Sequence, residues 1–222
     1  MVLKINGDIV PNDMKEIYAW FGLDCSCPND VHGALEALPE GDRLEIKINS
    51  NGGYVEAGKE MYTTLRNRND VDIEVESIAA SAASMIAMAG HSTISPVGML
   101  MIHDVSATAS GNKRDMKKMA EDLARYDESV AEAYAFKTGM GVEEILKLMD
   151  KETFIPAQRA VELGFIDAIS EAEPVMTNGI GGVQVTDAMI EEFKAAKAAE
   201  AEKAKLDKVK HELLNDLDDF GI

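Results

Sequence analysis

Hydrophobic and polar residues alternate in two segments of the N-terminal half, and this alternation predicts β-strands. Residues 44–48 and 71–77 place apolar side chains at every second position, which is the period of a strand with one buried face. The apolar segment at residues 3–10 predicts a further strand, and residues 93–103 contain additional strand-like runs. We therefore expect several strands before residue 104.

Helical patterns fall between and after these strands. Apolar residues three or four positions apart predict helices at residues 13–20, 30–38, 54–67, 81–89, 116–137, 142–149 and 156–163. Strands, glycine-rich turns and helices that follow one another in this way are typical of crossover connections, so we expect an α/β fold. The helix at 116–137 carries more apolar surface than one small domain covers, which predicts a homo-oligomer.

The character of the sequence changes after Glu171. Residues 174–182 resemble a connector, and residues 186–220 are rich in alanine, lysine and glutamate with large apolar residues at helical spacing. We predict a domain large enough for an enzyme at 1–171 and a linker with a charged amphipathic helical tail at 172–222. The tail either pairs between subunits, binds a capsid or scaffold partner, or is a solvated helix.

Charge and composition exclude several classes of partner. The formal net charge is −18, which opposes binding to nucleic acid and to anionic membrane surfaces. No run of about 18 apolar residues is present to span a membrane. Cys25 and Cys27 are too close in sequence to staple a fold or to supply four metal ligands. We expect a soluble, cytoplasmic protein without nucleic acid or membrane partners.

Candidate catalytic residues occur in the order of a hydrolase. Residues 78–90 set Ser81 and Ser84 among alanines, His103 ends the apolar run 99–102, and Glu152 lies 49 residues after His103. A serine, a base and a carboxylate are the components of nucleophilic acyl transfer. Taken alone, each has a structural interpretation: small serines for close packing, a structural histidine, and a solvated charge at a helix end.

Such chemistry also needs backbone N–H groups that bind the developing oxyanion. The pair Gly52-Gly53 follows a predicted strand, and the amide of Ala82 comes at the start of a predicted helix. A glycine pair alone is a weak signal, because most such pairs are turns.

These residues together resemble the proteolytic subunit family of Clp proteases, and within it the phage-type relatives described as head maturation proteases. The resemblance covers residues 5–169. The matching motifs are INSNGG at 48–53, AAS at 79–81, MIH at 101–103 and GFID at 164–167. It implies a Clp-protease/crotonase-like fold of repeated β-β-α crossover units, with a C-terminal helical tail.

The resemblance implies a role for each candidate residue. Ser81 rather than Ser84 takes the nucleophile position, His103 the base position, and Glu152 the position of the family's catalytic aspartate. Because glutamate is one methylene longer, Asp150 remains a second candidate for the acid.

The same resemblance assigns the oxyanion hole to the amides of Gly52 and Ala82, and it implies neither a metal nor a cofactor. It further implies a homo-oligomeric ring and a polypeptide substrate. Asn51 replaces the family's usual proline, and residues 104–108 replace a Gln-Pro and paired-glycine segment. Because the N-terminal extension that docks an unfoldase is not recognised here, an ATPase partner stays open.

We therefore expect a serine endopeptidase that cleaves unfolded or capsid-associated polypeptides, as in phage or prophage head maturation. Two alternatives remain at this point. One is a catalytically inactive capsid-assembly or scaffolding protein, and the other is a crotonase-type enzyme that binds acyl-CoA.

Overall fold

The computed structural model describes residues 1–171, so the predicted linker and tail lie outside the described residues. The strands are β1 (Val2–Ile9), β2 (Cys25–Ser26), β3 (Leu44–Gly53), β4 (Val71–Ala80), β5 (His91–Ile94), β6 (Met99–Ile102), β7 (Thr153–Pro156) and β8 (Ala168–Ile169). The helices are α1 (Lys15–Phe21), α2 (Pro28–Glu36), α3 (Val55–Leu65), α4 (Ala82–Ala87), α5 (Lys113–Thr138), α6 (Val142–Met149) and α7 (Ala157–Glu162). The predicted mixture of strands and crossover helices is confirmed.

The strands form one sheet in the order β2-β1-β3-β4-β5-β8. Strand β4 has two neighbours on one side: its first part pairs with β5, and its last part, at Ile78–Ala80, pairs with β6. These pairings are parallel, whereas β7 runs antiparallel to β6. The carboxyl ends of β1, β3, β4 and β6 consequently meet at one edge of the sheet.

Strands β3 and β4 are longer than the alternating pattern predicts. The prediction ended the first of them at Ile48, because the following Asn-Ser-Asn-Gly-Gly sequence is typical of a turn. In the structure this sequence continues to pair with β1 after a register shift between Asn6 and Asp8. The pairing carries Gly52 and Gly53 to the carboxyl edge of the sheet.

The core lies between the sheet and helices α3, α4 and α5. Ile46, Ile48, Ile73 and Val75 alternate toward this side and are buried. Every residue of α4 is also buried, as the predicted tightly packed helix requires. The alternate positions on β3 and β4 are polar, and Lys47 lies there within ion-pair distance of three glutamates.

Helix α5 is the longest helix described and agrees with its prediction to within three residues at each end. Asn112 caps its start with bonds from the amides of Arg114 and Asp115, and Gly139 ends it in the left-handed conformation at φ 73°. Its buried residues all lie in the last third, at Val130, Ala131, Ala133 and Tyr134. None of the helices within residues 1–171 has the length and apolar character needed to cross a membrane.

Candidate active site

Ser81 and His103 reach the same cavity because each follows the end of one of two adjacent parallel strands. Ala80, the last residue of β4, pairs with Met101 of β6, and Ser81 donates its backbone N–H to the carbonyl of Met101 at 2.9 Å. Both side chains line a cavity of about 510 Å³. The carboxyl edge of a parallel sheet is the usual position of ligand sites in open α/β folds.

The backbone at Ser81 is strained. Its φ is 53° and its ψ is −126°, a region that a residue with a side chain occupies at a cost of about 1–3 kcal/mol. The carbonyl of Ser81 accepts bonds from the backbone N–H of Ser84 at 3.0 Å and from that of Met85 at 3.3 Å. A strained turn from a strand into a helix is a recognised way to expose a nucleophilic serine.

Ser84 has a structural role, as the sequence predicted. Its side chain is fully buried, and its hydroxyl donates to the Ser81 carbonyl at 2.7 Å and lies 2.8 Å from the Tyr134 hydroxyl. Burial raises the pKa of Tyr134 to about 12, although the bond to Ser84 acts in the opposite direction. Tyr134 therefore stays protonated at neutral pH, and Ser84 is not among the described residues that line the cavity.

The glycine pair of β3 contacts the turn at Ser81. Gly52 has a φ of 97°, and a Cβ built there would lie 2.6 Å from the carbonyl oxygen of Ala80 and 2.7 Å from the Cβ of Ser81. A side chain at position 52 would therefore clash with this turn, and glycine allows β3 to approach Ser81 closely. The N–H of Gly52 donates to the Ser50 hydroxyl at 3.1 Å, so this amide already has an acceptor.

Ala82, the second predicted oxyanion donor, is the first residue of α4 and lines the cavity. Its backbone nitrogen would be 3.0 Å from a Cβ on Gly52. The first N–H groups of a helix have no acceptor within the helix. The Ala82 amide thus lies against the backbone of Gly52.

The chain after His103 is held by carboxylates. The N–H of Val105 donates to Oδ1 of Asp127 in α5 at 2.6 Å. Burial raises the pKa of Asp104, the negative charges of Asp127 and Asp150 raise it further, and His103 acts in the opposite direction. Asp104, the residue after the base candidate, therefore lies in the field of two further carboxylates.

Glu152 and His103 flank the end of the β6–β7 ladder. The last pair of this ladder is Ile102 with Thr153, and His103 follows Ile102 whereas Glu152 precedes Thr153. Glu152 is exposed and has a φ of 48°. Asp150 is also exposed and caps the end of α6. Ser81 and His103 line the cavity, whereas neither acid candidate, Glu152 or Asp150, is among the described residues that line it.

The cavity residues that were not predicted include Asp8, Tyr18 and Tyr54. The hydroxyl of Tyr18 donates to Oδ2 of Asp8 at 3.0 Å. The signal for Asp8 was its place at the end of β1, since the ends of parallel strands meet at one edge. No pattern in the sequence indicated Tyr18, which reaches the cavity from α1.

Comparison with known proteins relates this arrangement to proteases. The family model for Clp protease matches residues 29–173. The chain is 32% identical over 164 residues to the ATP-dependent Clp protease proteolytic subunit 2 of Thermobifida fusca (strain YX), a match that covers 71% of this chain and 81% of that protein. It is 35% identical over 144 residues to the protein of the same description from Nocardia farcinica (strain IFM 10152), which covers 63% of this chain and 70% of the relative.

The family model covers well over half of the chain, and it includes all the elements that carry Ser81, His103 and the glycine pair. The α/β architecture with its largely parallel sheet agrees with the fold that the resemblance implied. The chain belongs to the Clp protease family.

Proposed function

We propose that this protein is a serine endopeptidase in which Ser81 is the nucleophile, His103 the base and Glu152 the residue that orients the base. One observation carries the proposal. In a member of the Clp protease family, a strained serine and a histidine follow adjacent parallel strands and line a single cavity.

The chemistry follows from the positions of these groups. The Ser81 hydroxyl attacks the carbonyl carbon of the peptide bond while His103 accepts the hydroxyl proton, and His103 then gives that proton to the leaving amine. A water molecule, deprotonated by His103, hydrolyses the acyl-enzyme and restores Ser81. Glu152 holds the imidazole in the tautomer that this exchange requires.

The oxyanion binds to backbone amides at the junction of β3 and α4. We assign Gly52 and Ala82 to this role, as the family resemblance implies. The hydrogen bond from the Gly52 amide to the Ser50 hydroxyl must first break. The Ser50 hydroxyl itself donates to the Gly7 carbonyl at 2.6 Å. The neighbouring Gly53 amide is the other donor that the same glycine pair offers.

The substrate we propose is a polypeptide in an extended conformation. Val55, Met85 and Val130 line the cavity beside Ser81, which favours an apolar side chain next to the scissile bond. Unfolded chains present such segments. The resemblance to phage-type relatives is the basis on which we also propose capsid-associated substrates and phage or prophage head maturation in a bacterial cytoplasm. We propose that the protein acts as a homo-oligomeric ring.

A fluorophosphonate probe tests the assignment of the nucleophile. We expect wild type to gain one probe mass by intact mass spectrometry and Ser81→Ala to gain none. The matched control is Ser77→Ala, which removes an exposed serine from β4 and should label like wild type. Equal labelling of wild type and Ser81→Ala would reject Ser81, and a folded wild type that takes no label would favour the inactive scaffolding protein.

A further inference from the structure

Helix α1 is attached to the domain differently from the other helices. It lies outside the matched segment 29–173, and none of its residues is buried. Polar contacts hold it in place: the Tyr18 hydroxyl to Asp8 at 3.0 Å, and an ion pair between Lys15 and Asp30. A helix that buries no side chain contributes little to the core, so its apolar residues need another explanation.

One side chain of α1 forms part of the catalytic cavity. Tyr18 lines the same cavity as Ser81 and His103. Asp8 also lines this cavity and accepts a hydrogen bond from the Tyr18 hydroxyl. It lies near the carboxyl end of β1, at the edge of the sheet where the strand ends meet. The surface of α1 is therefore continuous with the wall of the site.

The exposed apolar residues of α1 share one side of the helix. Ile17 is 53% exposed, Trp20 is 81% exposed and Phe21 is 63% exposed, and Trp20 and Phe21 lie three and four positions after Ile17, the spacing of neighbours on one helix face. The rings of Trp20 and Phe21 contact each other edge to face, with 4.6 Å between their centroids. At about 100° per residue, Ile17 and Phe21 lie within a quarter turn or so of Tyr18, and Trp20 lies farther from it.

We propose that Ile17 and Phe21, together with Tyr18, form a second binding surface for apolar side chains of the polypeptide substrate. This inference rests on the proposed peptidase function and names the type of segment that the site prefers. An extended chain advances about 3.3 Å per residue, so a side chain a few residues from the scissile bond extends past Tyr18 onto this surface. Its continuity with the cavity favours the substrate over a second copy of the chain as the occupant.

Peptide binding tests the proposal without depending on catalysis. In a Ser81→Ala background, we would measure by fluorescence anisotropy the affinity of a short peptide that fills only the cavity. The second peptide would be the same sequence extended at both ends by five residues rich in leucine and phenylalanine. The double change Ile17→Ser and Phe21→Ser should weaken binding of the extended peptide about tenfold, the effect of about 1.4 kcal/mol, and leave the short peptide unaffected.

The matched control is Val97→Ser, which removes an exposed apolar side chain outside α1 and outside the cavity lining and should bind both peptides like the parent protein. Equal weakening of both peptides by the double change, or no change for the extended peptide, would overturn the proposal. A lower mass by light scattering in the double variant, with peptide affinity unchanged, would instead assign the surface to a second copy of this chain. Failure of wild type to hydrolyse a small ester would count against the peptidase function and leave the binding result to be judged separately.

Discussion

At the scale of single residues, the site depends on a serine that does not react. Ser84 donates its hydroxyl to the carbonyl of Ser81 at 2.7 Å and shares a bond with buried Tyr134 at 2.8 Å. These bonds fix the carbonyl of a residue whose backbone is strained. Because such strain persists only where the surroundings enforce it, we infer that Ser84 and Tyr134 position Ser81.

We predict that Ser84→Ala lowers the free energy of unfolding by about 1–3 kcal/mol, since it leaves the Tyr134 hydroxyl buried without a partner. The rate of fluorophosphonate labelling at Ser81 should fall as well. The double variant Ser84→Ala with Tyr134→Phe removes both partners and should recover part of the lost stability. Urea denaturation and labelling kinetics measure the two effects. A Ser84→Ala protein as stable and as reactive as wild type would contradict the positioning role.

The second prediction at this scale separates the two acid candidates. Glu152 and His103 flank the last pair of the β6–β7 ladder, whereas the charge of Asp150 raises the pKa of Asp104. We expect Glu152→Gln to reduce kcat for a peptide substrate by roughly 10²–10⁴-fold, the range for loss of the orienting acid. Asp150→Asn should cost less than tenfold. If the order of the two variants is reversed, Asp150 is the triad acid.

At the scale of elements, the sequence predicted long periodic segments better than short ones. Helix α5 extends over 26 residues, so its three-to-four spacing repeats many times and has a capping residue at each end. Strands β2 and β7 have two and four residues, which is too short for any period to appear. Pairing with β6 creates β7, and that partner is not local in sequence.

The site was predictable where it follows the strands. Ser81 and His103 were identified from their residue types and order, and the adjacency of β4 and β6 explains why they meet. Tyr18 was not identified, because its approach to the cavity depends on how α1 packs after a turn. The hydrogen bond from the Gly52 amide to the Ser50 hydroxyl was also missed, since a glycine pair in a sequence does not indicate which group accepts its N–H bonds.

A partly exposed polar contact joins the end of α5 to the residue before β8 and gives a prediction for elements. Lys137 donates to the Gly90 carbonyl at 2.8 Å and to Oδ2 of Asp167 at 2.6 Å. Oδ2 of Asp167 also accepts the backbone N–H of Ser92 at 2.7 Å. Burial alone would raise the pKa of Asp167, but the bonds from Lys137 and Ser92 outweigh it and hold the pKa below its usual value.

A lowered folded-state pKa means that this contact stabilises the protein above the usual aspartate pKa of about 3.9 and is lost as pH falls through the folded value. Because the Asp167 side chain is partly exposed, solvent screens this contact, and we predict that Asp167→Asn lowers the free energy of unfolding by about 0.5–1.5 kcal/mol at pH 7. The difference from wild type should shrink as the pH approaches 3. Urea denaturation across this range measures it, with Asp42→Asn at an exposed turn as the control. A constant difference at every pH would exclude a contribution from the Asp167 charge.

At the scale of the whole molecule, helix α5 is much longer than the part of it that is buried against its own domain. At 1.5 Å per residue its 26 residues extend about 39 Å, yet all its buried residues lie at position 130 or later. Met116 and Tyr126 remain exposed, and Met119 and Leu123 are only half-buried. An uncovered helix of this length, with apolar residues along it, is typical of a subunit interface.

We therefore predict that the protein in solution is a homo-oligomer joined through the first half of α5. Light scattering at micromolar concentration should give a mass several times the 24.1 kDa of one chain. Leu123→Glu puts a charge into the proposed interface and should reduce that mass, while Ala124→Glu adds the same charge at an exposed neighbouring position and should reduce it less. If assembly encloses the active sites, Leu123→Glu should also allow cleavage of folded proteins that wild type leaves intact. A wild-type particle of one chain would show that α5 projects into solvent, and access to Ser81 would then be limited only by the cavity and α1.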